Sequence, residues 1–135
     1  YGEQRGAAFS DFDRDGRVDL LVSQNDAETK LYRNIGAKPG LRIRLAGPAG
    51  NPDGVGAVIR LIDENGFGPA REIHLGEGYW SQSSMVQIMN RAAPVEAISI
   101  RWPGGHTTET ALPADVLEII IDEKGGLMIK EESKK

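Results

Sequence analysis

Apolar and polar positions alternate with period two through most of this 135-residue chain. Leu41, Ile43 and Leu45 share one face and Arg42 and Arg44 the other, which predicts a strand with one buried side. Ile73 and Leu75 alternate with Glu72 and His74, and Ile98, Ile100 and Trp102 with Ala97, Ser99 and Arg101. Leu117, Ile119 and Ile121 repeat the pattern, as do Leu127 and Ile129. Residues 58–62 are apolar on both faces, which predicts a more central strand. No window carries the i, i+3, i+4, i+7 spacing of an amphipathic helix. Residues 112–116 are expected to form at most a single turn, with Pro113 suited to a first helical position. Turn sequences at 63–66, 103–105 and 123–126 separate the strands. The chain therefore reads as all-β, an antiparallel β-sandwich or a barrel-like domain.

Composition sharpens this reading. The chain has 17 glycines, where average usage of about 7% would give nine or ten, as expected of many tight turns. The lack of cysteine excludes a disulfide scaffold, thiolate zinc, iron–sulfur clusters and a thiol nucleophile, and leaves the redox compartment open. With 16 basic and 20 acidic residues the net charge is −4, which argues against nucleic acid or an anionic membrane as partner. No apolar run approaches the roughly 20 residues of a membrane span, so no membrane insertion is expected. The chain opens on Tyr1 without a basic and apolar leader, and the expectation is a piece of a longer protein.

The sharpest concentration of charge is the run from Asp11 to Asp19. Asp11, Asp13 and Asp15 alternate, so a tight loop can aim them at one centre, and Gly16 allows the chain to swing round. The carbonyl of Arg17 and the carboxylate of Asp19 would complete an oxygen shell for Ca²⁺. Such carboxylates repel one another, and a bound cation is expected to relieve the repulsion. No histidine or cysteine is near, which disfavours zinc and copper. An EF-hand does not fit, because its final bidentate glutamate would fall on Val22 and flanking helices are missing. The plainer alternative is a solvated acidic turn without an ion.

The wording of residues 8–22, Ala-Phe-Ser-Asp-Phe-Asp-Arg-Asp-Gly-Arg-Val-Asp-Leu-Leu-Val, followed by Leu-Tyr-Arg-Asn-Ile-Gly at 31–36, resembles an FG-GAP or VCBS repeat. The resemblance implies a calcium loop between two strands of a β-propeller blade, with other propeller repeats of the same full-length chain as partners. A single blade cannot bury both its faces. Residues 1–38 are therefore expected to be a blade fragment, either packed on the domain after it or poorly ordered.

From residue 39 to 130 the chain resembles the ASPIC and UnbV domain family, the cartilage acidic protein-like group. The matching runs are Asn51-Pro52-Asp53-Gly54-Val55-Gly56-Ala57, then Gly76-Glu77-Gly78-Tyr79-Trp80-Ser81-Gln82-Ser83-Ser84, then Ile98-Ser99-Ile100-Arg101-Trp102-Pro103-Gly104-Gly105. The run 87–91 departs from the family's His-Phe-Gly-Leu-Gly type of sequence. The resemblance brings no established enzymatic activity. It implies an exported protein of binding or adhesive character: extracellular, at a cell surface or periplasmic. Residues 131–135 read as a charged tail.

The candidate ligand surface is Tyr79, Trp80, Ser81 and Gln82, aromatic plates beside hydroxyl and amide groups that suit sugar rings. The alternative buries an aromatic in the core and leaves the polar groups to satisfy the turn. No catalytic residues stand out. His74 and His106 are distant in sequence, no Gly-x-Ser-x-Gly elbow occurs, and Gly54-Val55-Gly56 lacks the rest of a dinucleotide motif. The expectation is a noncatalytic extracellular binding or adhesion module with a structural calcium loop, taking a glycan or a cell-surface protein. The alternative is a purely structural domain capping a β-propeller, and the third reading is part of a carbohydrate-active enzyme.

Overall fold

The computed structural model describes residues 3–91 and 94–130, so the charged tail lies outside the described residues. Strands β1 (Glu3–Ser10), β2 (Asp19–Asn25) and β3 (Lys30–Tyr32) form an antiparallel meander in that order. Two further sheets face each other. One is built from β4 (Leu41–Ala46), β8 (Gln87–Met89), β11 (Glu118–Asp122) and β12 (Leu127–Ile129), in the order β12-β11-β4-β8. The other has the order β10-β9-β5-β6, from β5 (Val58–Asp63), β6 (Gly66–Phe67), β9 (Val95–Arg101) and β10 (Thr107–Ala111). The short strand β7 (Arg71–Glu72) also pairs with β5.

The period-two pattern explains the core between these two sheets. Leu41, Ile43 and Leu45 of β4 lie beside Met89, Ile119 and Ile121, and Ile59 and Leu61 of β5 lie opposite Ile100 and Ile98 of β9. All of these are buried, and Ile73, Ala57, Val116 and Trp102 join the same cluster. Trp102 continues the inward face of β9, and its indole N–H donates to Thr108 at 3.0 Å, so burial leaves no polar group unpaired. The result is an all-β sandwich-like domain with no closed barrel and, among the described residues, no helix. Among the described residues no helix is therefore long and apolar enough to cross a membrane.

Two local expectations need correction. The stretch 72–75 is not a continuous strand: Ile73 still bonds Ala57 O and Gly56 N–H at 3.0 and 2.8 Å and is buried in the core, but pairing ends there and Leu75 is exposed. Residues 112–116 form no more than a turn, as expected, with Leu112 held to Glu96 and Val116 drawn into the core. The sandwich is not wholly antiparallel either. β4 and β11 run parallel, Arg42 beside Glu118 and Ile43 beside Ile119, since the long connection between them lets β11 return in the same direction.

The meander shares none of this core, and among the described residues its only buried apolar side chain is Val22. Phe9, Leu21, Leu31 and Tyr32 remain exposed, so apolar surface is left uncovered on both of its faces. Its acidic loop, by contrast, is pressed against the sandwich.

The acidic loop, its joint with the sandwich, and the aromatic loop

Asp11 follows the last residue of β1 and Asp19 opens β2, and between them the chain is tied by its own carboxylates. Asp11 accepts the backbone N–H groups of Asp15 and Gly16, each at 2.9 Å, through its two oxygens. Asp13 accepts from Asp15 N–H at 3.3 Å, and Asp15 from Arg17 N–H at 3.0 Å. These are the short-range bonds by which aspartate competes with regular structure and fixes turns. Gly16 sits at φ +81°, and a Cβ there would stand 3.0 Å from Pro39 Cβ and 3.1 Å from the Gly40 carbonyl. Glycine is therefore required twice, for the turn and for the close approach of the linker. The linker is fastened by Gly40 N–H to Gly16 O at 2.8 Å.

The loop brings carboxylate oxygens of Asp11, Asp13 and Asp15 within 4.8 Å of one another. Three hard oxygen donors at that spacing could hold a metal ion. Asp19 stands outside this trio: its oxygens accept Phe12 N–H at 3.0 Å and Asn34 N–H at 2.8 Å, bracing the loop against the chain beyond β3. Arg17 contributes its guanidinium, which donates to Ala37 O at 2.6 Å and to Asp15 at 2.8 Å.

Repulsion within the trio is already relieved by arginine. Arg33 lies 2.5 Å from Asp13 and 3.4 Å from Asp15, Arg17 pairs with Asp15, and Arg42 pairs with Asp11. A bound cation is thus not the sole means of stabilising these charges, which corrects the simplest reading of the sequence. Partial desolvation would raise the Asp15 pKa, but the N–H and guanidinium of Arg17, aided by Arg33, hold it below the usual carboxylate range. Arg33 is largely exposed and Arg42 is buried, so an entering ion would displace the first far more readily than the second.

Arg42 is the centre of the joint. It projects from the face of β4 turned away from the core, yet it is buried because the acidic loop covers it. It bonds Asp11 on the meander and Glu118 on the neighbouring strand, the latter at 3.1 Å. Glu118 in turn receives Arg14 at 2.7 Å and lies 3.6 Å from Lys130. Burial alone would raise the Glu118 pKa, but the hydrogen bonds from Arg14 and Arg42 outweigh it and leave the carboxyl below its ordinary value.

A second contact runs along the free edge of β1. Phe9 N–H donates to Ser83 Oγ at 3.2 Å, and Phe9 O accepts Ser84 N–H at 2.8 Å. The preceding loop is braced from within. Gln82 accepts Gly76 N–H at 2.5 Å and donates to His74 O at 3.3 Å and Ser83 O at 3.0 Å, while Ser81 donates to Glu77 O at 3.2 Å. Tyr79 and Trp80 are not in the core. They stack on each other, ring centroids 5.6 Å apart and planes at 12°, and Trp80 is 88% exposed. Trp80 also holds φ at +52°, a strained conformation for a bulky side chain. Of the four candidate ligand residues, the two aromatics face solvent, whereas Ser81 and Gln82 organise the loop.

The family model described as ASPIC and UnbV matches residues 47–126, from the end of β4 to the turn before β12. The chain belongs to the ASPIC and UnbV family. No curated protein matches it. The ASPIC and UnbV match takes in the 51–54 turn, the aromatic loop and the hairpin after Trp102, and leaves the acidic loop outside. At 51–54 Asn51 bonds both the N–H and the carbonyl of Val55 at 2.9 Å, an ordinary turn brace. The departing run 87–91 supplies β8, whose pairing with β4 needs only alternation of side chains. His74 lies 3.7 Å from Glu72, while His106 stacks on Trp102 and contacts Glu123 O at 3.2 Å, so the two histidines have separate surroundings.

Sequence reasoning missed the joint residues Arg14, Arg42 and Glu118. Arg42 looked like any polar-face residue of an alternating strand. The available signal was the acidic loop itself, which needs cationic partners, but only the parallel register of β4 and β11 selects Arg42 over Arg44.

Proposed function

We propose that this protein is a noncatalytic binding module, part of a larger extracellular protein, in which a calcium-braced FG-GAP or VCBS-type meander is fastened to a sandwich that presents an aromatic ligand loop. The observation that carries the binding reading is the stacked, exposed Tyr79–Trp80 pair on a loop whose amide and hydroxyl groups are already committed to holding its shape. Two large aromatics kept in water, one in a strained backbone conformation, gain nothing from core burial and suit stacking against a sugar ring. Calcium is the ion best matched to three aspartates without nitrogen or sulfur donors. Its role in this reading is to tighten the loop that joins meander and sandwich. The larger protein is supported by apolar residues exposed on both faces of the meander, which neighbouring repeats of the same chain would cover.

Glycan-array screening of the whole chain tests the ligand. Binding to a defined set of glycans, lost in Trp80→Ala with an unchanged melting temperature, is the expected result. Equal binding by Trp80→Ala, or none by the parent chain, would deny the aromatic loop a role in ligand binding. A second reading, a structural domain that caps a propeller, is favoured by the bonds of Ser83 and Ser84 to the free edge of β1. Under that reading Trp80→Ala is silent in every binding assay, whereas deleting the sandwich from the full-length protein lowers the stability of the preceding repeats.

A further inference from the structure

The outward face of the sheet β10-β9-β5 carries a cleft of about 750 Å³, separate from the carboxylates of the acidic loop and from the stacked aromatic pair. Its floor follows from strand register. Arg101 on β9 lies between Val58 on β5 and Thr107 on β10, and Ser99 lies opposite Arg60. Arg60 and Arg101 are therefore diagonal neighbours on one face, an arrangement of like charges that is unfavourable until an anion enters. Arg71, from the edge strand β7, is paired with the inward-facing Ile59, so it reaches the cleft at its rim, between it and a second hollow that Asp11 lines.

The pairing of arginines across the molecule singles this place out. The chain has ten arginines. Arg5, Arg14, Arg17, Arg33, Arg42 and Arg44 each have a carboxylate partner. Among the described residues the others have none. Arg91 is occupied by the carbonyls of Ala114 and Val116, while Arg60, Arg71 and Arg101 all line the cleft. Arg60 spends one N–H on the Gly68 carbonyl, at 3.0 Å, which holds the side chain in place and leaves its charge uncompensated. In a chain with a net charge of −4 these cations would be expected to find carboxylates most easily. Two are at hand, yet Glu72 stands against His74 at 3.7 Å and Glu77 pairs with no arginine among the described residues. The cleft thus offers guanidinium groups with no carboxylate partner among the described residues, the carboxylates of Glu72 and Glu77, and the hydroxyls of Ser99 and Thr107.

We infer that this cleft binds an acidic saccharide, with a carboxylate or sulfate held by Arg60, Arg71 and Arg101 and sugar hydroxyls donating to Glu72 and Glu77. Guanidinium forks suit both planar carboxylate and sulfate oxygens. The carboxylates disfavour a polyanion such as nucleic acid and favour a ligand rich in hydroxyl donors. The volume lies within the range of sites for small organic ligands, and a lone inorganic anion would fill little of it. Glu77 belongs to the aromatic loop, but the proposal needs neither Tyr79 nor Trp80, and it stands apart from their reading as a ligand surface.

The test is calorimetric and NMR titration of the whole chain at low ionic strength with an oligogalacturonate, a sulfated disaccharide, a neutral oligosaccharide and inorganic sulfate. At least one acidic saccharide should bind saturably and shift the Arg Nε–H signals of Arg60, Arg71 and Arg101, with the neutral sugar silent. Arg101→Gln and Arg71→Gln should each weaken that binding by about tenfold or more without changing the melting temperature. The Arg Nε–H shifts read the site in the parent chain, should either variant fold poorly. The inference is overturned by no binding of either acidic saccharide, by equal shifts of these Arg Nε–H signals with the neutral one, by shifts confined to other arginines, or by inorganic sulfate accounting for the whole affinity.

Discussion

At the scale of the residue, the most consequential side chain is Arg42. It sits on the polar side of an alternating strand, but the acidic loop and Glu118 enclose it, so its charge is compensated on two sides. Arg42→Ala leaves the Asp11 carboxylate buried without its cation, and urea denaturation should show a loss of about 3–5 kcal/mol. A loss below about 1 kcal/mol, typical of an exposed pair, would mean that the joint is hydrated and weak. Arg33 is the opposite case. Its exposed guanidinium occupies the carboxylates that a cation would use, so Arg33→Ala should tighten calcium binding by up to about fivefold in a calorimetric titration. Weaker binding in that variant would show that Arg33 shapes the site and does not compete for it.

Elements explain which expectations could be read in the chain. Strands 41–45 and 98–102 were legible because one face of each had to be apolar, and 58–62 from apolar residues on both faces; their inward faces meet as the core. Strand β7 was over-read for a physical reason: Ile73 and Leu75 have the right spacing, but only Ile73 reaches the core. The convergence of Asp11, Asp13 and Asp15 was legible from alternate spacing and Gly16, whereas the placement of Asp19 depends on Asn34, which lies beyond β3. The exposure of Tyr79 and Trp80 was not legible, since periodicity does not distinguish a core aromatic from a loop aromatic. The covering of β1 by residues 83 and 84 is a contact between distant segments with no local signature. It carries its own prediction. Ser84→Pro removes the N–H that Phe9 O accepts, at a cost of about 1–3 kcal/mol. Hydrogen exchange should then speed up at β1 amides while Ile43 and Ile100 amides keep their protection. Uniform acceleration in both sheets would show instead that meander and sandwich unfold as one unit.

The whole molecule is a sandwich with its own core and a meander that has almost none, held together chiefly by polar contacts. Such a joint should respond to pH. Glu118 titrates below its usual range when folded, so its stabilising contribution is complete above the ordinary carboxylate pKa. It is lost as pH falls through the depressed folded value. Melting temperature should therefore drop more steeply with acid in the parent chain than in Glu118→Gln, and parallel profiles would exclude Glu118 as a titrating brace. The same joint is where a bound ion would act, because ligands that bind only the folded state raise stability by linkage, by about 2.7 kcal/mol at a hundredfold excess over Kd. The decisive experiment is calorimetric titration of the calcium-stripped chain, followed by thermal melting with and without calcium. A single saturable site that raises the melting temperature, and that disappears in Asp13→Asn, is the predicted result. No heat of binding, together with a melting curve indifferent to calcium and to EDTA, would contradict it and leave the loop held by its arginines alone.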